Sequence, residues 1–286
     1  MTDTDTAADA PLGGLSLYES PIFENHYIDM VALEVRWGSA VNVASTDALI
    51  LRTSIEEAVD GLRLSYVDQV EQRDISVMLG DDNEKPAPTI ETGFQFRDDN
   101  QEVVVVVLPR SIAIQLSVYT RWSMSVRPLL EAVLNAVVSQ FEPGLVARMG
   151  LRYINRIEDP TCRKPGDWSG KISPALLSVY NDWGLQKWVR QAQQQVELTI
   201  DNEHGAVLRH ALLYGPHSPD NYMIDVDVFS QRARGVDVEA ITRAFTRMNR
   251  TALVIFQQSV DHGYLTQRQE TQDRREGREG REGEEE

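Results

Sequence analysis

The chain has 286 residues, 42% hydrophobic and 25% charged, an ordinary globular composition that excludes a wholly disordered or fibrous protein. Its formal net charge of −16 argues against a broad nucleic-acid footprint, because neutralising phosphates needs an excess of Lys and Arg. The lone cysteine, Cys162, rules out an intrachain disulfide, and no apolar run nears the roughly 18 residues of a membrane span, so a cytoplasmic protein is expected.

The opening "MTDTDTAADAPLGG" is acidic and lacks an apolar stretch of signal-peptide type. Residues 1–15 are therefore expected as a disordered acidic leader and 16–265 as the folded body. Met30 to Trp37 alternate as a strand does, with Val31, Leu33 and Val35 on one face and Glu34 and Arg36 on the other. "STDALILRTSIEEAVDGL" reads as a helix stopped by Gly61, and 62–79 as strand. "GDDNEKPAP" is breaker-rich and reads as an exposed loop.

"GFQF", "EVVVVVLP" and "SIAIQLSVY" follow as strands, the last two joined by a turn short enough for a hairpin. Five consecutive valines, Val103 to Val107, predict a strand buried on both faces. From Val126 to Phe141 the apolar residues recur at spacings of three and four, with Ser125 as the expected N-cap and Pro128 in the first turn. "SPALLSVYNDWGLQKWVRQA" reads as looser helix, three strands run from "QVELTI" to "YMIDVDVFS", and Val238 to Val260 is a last long helix. The charged, low-complexity 266–286 is expected as a disordered tail. A hairpin precedes a helix over 103–141 and again over 195–260. The predicted fold class is thus α+β: antiparallel sheet with long amphipathic helices packed on one face, with two hairpin-plus-helix halves dividing near 160–190 as an open alternative.

Candidate site residues come from the strand "GLRYINRIEDP". Alternation puts Arg152 and Arg156 on one face, suited to grip a phosphate or carboxylates with forked donors, and Tyr153 and Asn155 on the other. In "MIDVDVF", Asp225 and Asp227 share a face. They could hold a divalent metal, or simply pair with Arg152 and Arg156. Cys162, beside Arg163 and Lys164, is read either as a reactive thiolate or as an ordinary loop thiol. Trp168, Trp183 and Trp188 are candidates for a pocket lining or for plain packing. His204 and His210 would share a strand face about 20 Å apart, too far to share a zinc ion. Dinucleotide, P-loop, zinc-hydrolase and nucleophile-elbow motifs are absent, so no cofactor and no metal is expected.

"SPIFENHYIDMVALEVRW", the central "GLRYINRI" and the later "IDVDV" together resemble a sporadically distributed family of uncharacterised bacterial proteins. The resemblance runs in order over roughly 18–265, with Gly150 to Ile157 matching the central block and Asp225 and Asp227 the later strand. The chain departs from the pattern at Phe23, where a small or aliphatic residue is usual, and at His26 and Asp29, which interrupt the apolar run. The resemblance implies no activity; it points to a setting beside mobile or defence loci. The sequence thus leads to a non-catalytic cytoplasmic interaction or regulatory protein of a bacterial defence or toxin–antitoxin system. Its acidic body suits a basic protein partner, not a membrane. Two alternatives stay open: a metal-dependent phosphoryl- or nucleotidyl-transfer enzyme using Asp225 and Asp227, and a small-ligand sensor with a cavity between sheet and helices.

Overall fold

The computed structural model describes residues 10–17, 27–74, 89–181, 184, 186–189, 191–213 and 221–266. The leader up to residue 9, the "GDDNEKPAP" loop, Trp183, His26, His217 and the tail from 267 lie outside the described residues. Among the described residues ten strands form one antiparallel sheet. In chain order they are β1 (Ile28–Trp37), β2 (Tyr66–Asp74), β3 (Thr89–Arg97), β4 (Val103–Leu108), β5 (Ser111–Leu116), β6 (Leu145–Glu158), β7 (Gln193–Thr199), β8 (His204–Leu213), β9 (Asn221–Ser230) and the two-residue β10 (Arg234–Gly235). Across the sheet the order is β2-β3-β4-β5-β1-β6-β9-β8-β7, with β10 beside the start of β6.

β1 and β6 are neighbours at the centre. The meander that follows each of them in the chain returns to pair with it, β5 beside β1 and β9 beside β6. Period-two alternation sorts the side chains. Val31, Leu33, Val35 and Trp37 of β1 are buried, as are Leu151, Tyr153, Asn155 and Ile157 of β6 and Ile224, Val226 and Val228 of β9. The intervening residues carry the polar groups.

The longer helices among the described residues are α1 (Asp47–Ala58), α2 (Arg127–Phe141), α3 (Pro174–Asn181) and α4 (Val238–Ser259). α4 packs on β9 and β6, α1 on α2, and α2 on α4. Its stripe of Ile241, Phe245, Met248, Ala252, Ile255 and Phe256 is buried, and Asp237 caps its first turn by accepting from the Ala240 N–H at 3.1 Å.

Several expectations need correction. Only Val105 and Val107 of the valine run are fully buried; Val103, Val104 and Val106 are half-buried, because β4 has a polar-facing side like its neighbours. Ser125 does not cap α2. It lies in a π-helical turn, Trp122–Val126, and its hydroxyl accepts from the Thr120 N–H at 2.9 Å. α1 ends at Ala58, and Gly61 follows in the turn with φ +74°. The body also begins ahead of residue 16. Leu12 is buried, its N–H donating to Thr251 Oγ1 of α4 at 2.9 Å, while a Cβ on Gly13 would lie 2.6 Å from the Ile200 carbonyl oxygen. Among the described residues no helix is long and apolar enough to cross a membrane.

Candidate functional site

The polar residues of the central strands form a grid set by the ladder register. One row runs Gln115, Ala32, Arg152, Asp227, Val207, Glu197 from β5 to β7. The next runs Ala113, Glu34, Gly150, Phe229, Gly205, Thr199. Flanking them, Ile154, Asp225, Arg209 and Gln195 make a third row.

Arg152 reaches diagonally to Asp225. Its Nε and Nη2 each donate at 2.8 Å, one to each carboxylate oxygen. Arg209 approaches Asp225 Oδ2 from β8 at 3.5 Å, and its own Nε donates to Gln195 Oε1 at 3.0 Å. The Asp225 side chain is 2% exposed, so the fork satisfies a carboxylate that burial would otherwise penalise heavily. The carboxylate beside Arg152 holds its guanidinium above the ordinary arginine range. On the other side of Gly150, Arg148 donates to Glu34, which also pairs with Arg36 at 2.9 Å. The Arg148 guanidinium passes over Gly150, where a Cβ would come within 3.0 Å of Nη1, and stands 5.7 Å from the Phe229 ring centre.

Asp227 is the direct neighbour of Arg152, yet it has no hydrogen-bond or ion-pair partner among the described residues. Desolvation raises its pKa, and the fields of Arg148, Arg209 and Arg152 oppose the rise only in part. Beside it opens a depression of about 450 Å³. The small residues Ala32, Ala113 and Gly150 lie low in it, and Glu34, Arg36, Gln115, Arg148, Arg152 and Asp227 wall it.

The six candidate residues therefore divide. Arg152, Asp225 and Asp227 come together on the polar face. Tyr153 and Asn155 turn into the core: the Tyr153 hydroxyl donates to Asn249 Oδ1 of α4 at 2.7 Å, and Asn155 Nδ2 donates to the Ile224 carbonyl at 3.0 Å. Arg156 leaves the set. Four residues of strand, about 13 Å, separate it from Arg152, too far for both to grip one small anion. It pairs with neither Asp225 nor Asp227 but with Asp29 at 2.7 Å. The cause is a bulge in β1. Ile28 and Met30 face consecutive residues of β6, Asn155 and Ile154, which leaves Asp29 as an extra residue free of the alternation.

Glu34, Arg148 and Arg209 belong to the site but were not among the expected residues. Their only sequence signal was a charge at an alternate strand position. Both Asp225 oxygens are engaged by arginine, and among the described residues there is no group of three His, Cys, Asp or Glu side chains placed to hold a metal ion. A second depression, of about 790 Å³, opens over β7, β8 and their connecting turn, lined by Glu197, Thr199, Gly205, Val207 and Phe229 among others.

Cys162 is fully buried, and desolvation raises its thiol pKa despite Lys171 Nζ at 3.1 Å; the flanking Arg163 and Lys164 do not activate it. Lys171 Nζ also donates to Asp159 at 2.7 Å and Thr161 at 2.8 Å, tying the loop after β6. Trp168 is fully buried against Tyr222, whereas Trp188 is 63% exposed. No protein-family model matches the chain, and no curated protein matches it.

Proposed function

We propose that this protein is a non-catalytic binding component and that a protein partner docks on the polar face of its sheet. The observation that carries this reading is the state of Asp225, whose two oxygens are held by Arg152 with Arg209 beside them. The most buried carboxylate of the face braces a surface; it is not free to hold a metal or move a proton. Beside it, the lining of the central depression contains no Ser, Thr, Cys, His or Lys, and its guanidinium, carboxylate and amide groups are those of recognition.

In this reading the helices cover the opposite face, arranged as two hairpin-plus-helix halves about the β1·β6 pair. The resemblance to the sporadically distributed bacterial family supports a cytoplasmic role in a defence or toxin–antitoxin system. The chain's overall charge of −16 favours a partner that brings basic groups.

The test is affinity capture from the source organism with the tagged protein and its Arg36→Ala, Gln115→Ala variant. Both side chains are exposed, so the variant should melt as the wild type does. A stoichiometric protein retained by the wild type and lost by the variant is the expected result. A wild-type protein that comes down alone refutes the reading.

A further inference from the structure

β7 stands last in the sheet, and its outer edge is open. It pairs with β8 in an unbroken register from Gln193 opposite Ala211 to Thr199 opposite Gly205. The hairpin fixes which of its backbone groups are used. The Ile200 N–H donates to the His204 carbonyl at 3.0 Å. Antiparallel alternation then turns the N–H and C=O of Gln194, Val196 and Leu198 toward β8, and those of Gln193, Gln195, Glu197 and Thr199 away from it. Among the described residues these outward groups have no hydrogen-bond partner. Open edges are usually blunted by Lys, Pro or a bulge, and Gln193–Thr199 carries none of the three.

The two faces of this edge ask for different side chains. Val196 continues the buried row Tyr153, Val226, Leu208, yet it is 38% exposed, because no strand lies beyond it. Glu197 continues the polar row Arg152, Asp227, Val207. Its carboxylate meets no cation among the described residues and accepts only from Gln195 Nε2 at 3.2 Å. Arg209 on β8 is spent on Asp225 and Gln195, and Arg232 on Glu203.

We propose that the partner adds a strand to the β7 edge, with an apolar side chain over Val196 on the core face and a basic one beside Glu197 on the polar face. The inference rests on the reading of the protein as a docking component, and it names how the partner attaches. The outward N–H and C=O groups supply main-chain bonds, and the alternation selects the occupant. An acidic strand would set carboxylate against carboxylate at Glu197. A second copy of this chain would bring another net charge of −16 to the contact. A wholly polar strand would leave Val196 uncovered.

The probe is a fluorescein-labelled heptapeptide of alternating lysine and valine, lysine first, as long as the seven residues of β7. It is titrated by anisotropy against the full chain at about 0.15 M salt, where long-range attraction is screened. One control alternates glutamate and valine; another keeps four lysines and three valines but in two blocks. The alternating basic peptide should bind roughly tenfold more tightly than either control. It should slow amide exchange, read by NMR, at Gln195 and Glu197, whose N–H groups are open, and not at Val196, whose N–H is already bonded to β8. Gln195→Pro removes an outward N–H that β8 does not use, so it should melt like the wild type and weaken the peptide roughly tenfold. Glu197→Gln should weaken it roughly threefold. Where Gln195→Pro lowers the melting curve, Glu197→Gln and the exchange pattern decide. Equal binding of the block peptide, no binding, or binding that leaves the β7 amides unchanged overturns the edge proposal. So does a dimer of the chain alone, seen by sedimentation and dissolved by Gln195→Pro, which would give the edge to a second copy. A host partner captured equally by the wild type and a folded Gln195→Pro also overturns the edge, while leaving the docking reading intact; no captured partner at all removes the docking reading itself.

Discussion

Replacing Arg152 by Ala should expose how a buried carboxylate is kept on this sheet. The change deletes two charge-assisted bonds of 2.8 Å to a side chain that is 2% exposed. Breaking a buried pair from one side costs about 3–5 kcal/mol when the other charge is stranded. Two features lower that figure here. Arg152 is 42% exposed, so water reaches the gap it leaves, and Arg209 stays near Asp225 Oδ2. The expected loss is about 2 kcal/mol. The double variant Arg152→Met, Asp225→Leu removes both charges together and should fall within about 1 kcal/mol of wild type, because the buried carboxylate leaves together with its fork and the part-exposed Arg209 keeps its bond to Gln195. Urea denaturation followed by tryptophan fluorescence reads both, with an unchanged slope showing that the unfolded state is comparable. A loss below about 0.5 kcal/mol for the single variant, or a double variant as unstable as the single, would refute the view that Asp225 depends on this fork.

Other consequences can be read with the same assays. His210 is 2% exposed, its Nδ1 meets the Tyr222 hydroxyl at 2.8 Å, and burial lowers its pKa to about 4. Its folded value lies below the unfolded 6.5, so the unfolded chain binds the extra proton in that interval and stability falls as pH drops from about 6.5 toward 4. Between pH 7 and pH 5 His210 should contribute a loss of about 2 kcal/mol; a His210→Asn variant with the same pH slope as wild type would contradict this. Gly93→Ala should cost about 2–3 kcal/mol, because the new Cβ would fall 2.0 Å from the Val107 carbonyl oxygen, whereas Gly144→Ala, with nothing within 4 Å, should be close to neutral; comparable melting points for the two would count against the β3–β4 packing. Cys162, fully buried with its pKa raised, should react with a thiol reagent only as fast as the loop opens; stoichiometric labelling of the native protein within seconds would show the site to be open.

What the sequence disclosed about this fold was its local part. Alternation along one strand is a property of that strand, so the opposed faces of β1, β6 and β9 could be read directly, as could the apolar stripes of α2 and α4. Partner choice is not local. Arg156 finds Asp29 because of one extra residue in β1, a step of register that leaves no mark in composition. Arg209 and Glu34 join the site from strands far apart in the chain, and only the order β1-β6-β9-β8 makes them neighbours. The full burial of Cys162 was hidden for the same reason, since it depends on what folds over the loop after β6.

The same pairing bears on how a partner would bind. A flexible arginine loses about 0.5–1.5 kcal/mol of side-chain freedom when an interface fixes it. On this face much of that loss has already occurred. Arg152 is forked onto Asp225, Arg148 is braced by Glu34 and the Phe229 ring, and Arg209 is tied to Gln195. Each retains donors beyond those it spends on its neighbour, since a guanidinium carries five N–H groups. Taken as a unit the ion-pair lattice adds little net stability, because the attraction within its part-buried pairs is offset by the cost of desolvating them; it contributes more as a means of holding charges at set positions. That explains why a closed, apparently inert lattice and a recognition surface can be one structure: the pairs that quench the charges also orient them, and a ligand that matches the pattern meets donors already in place.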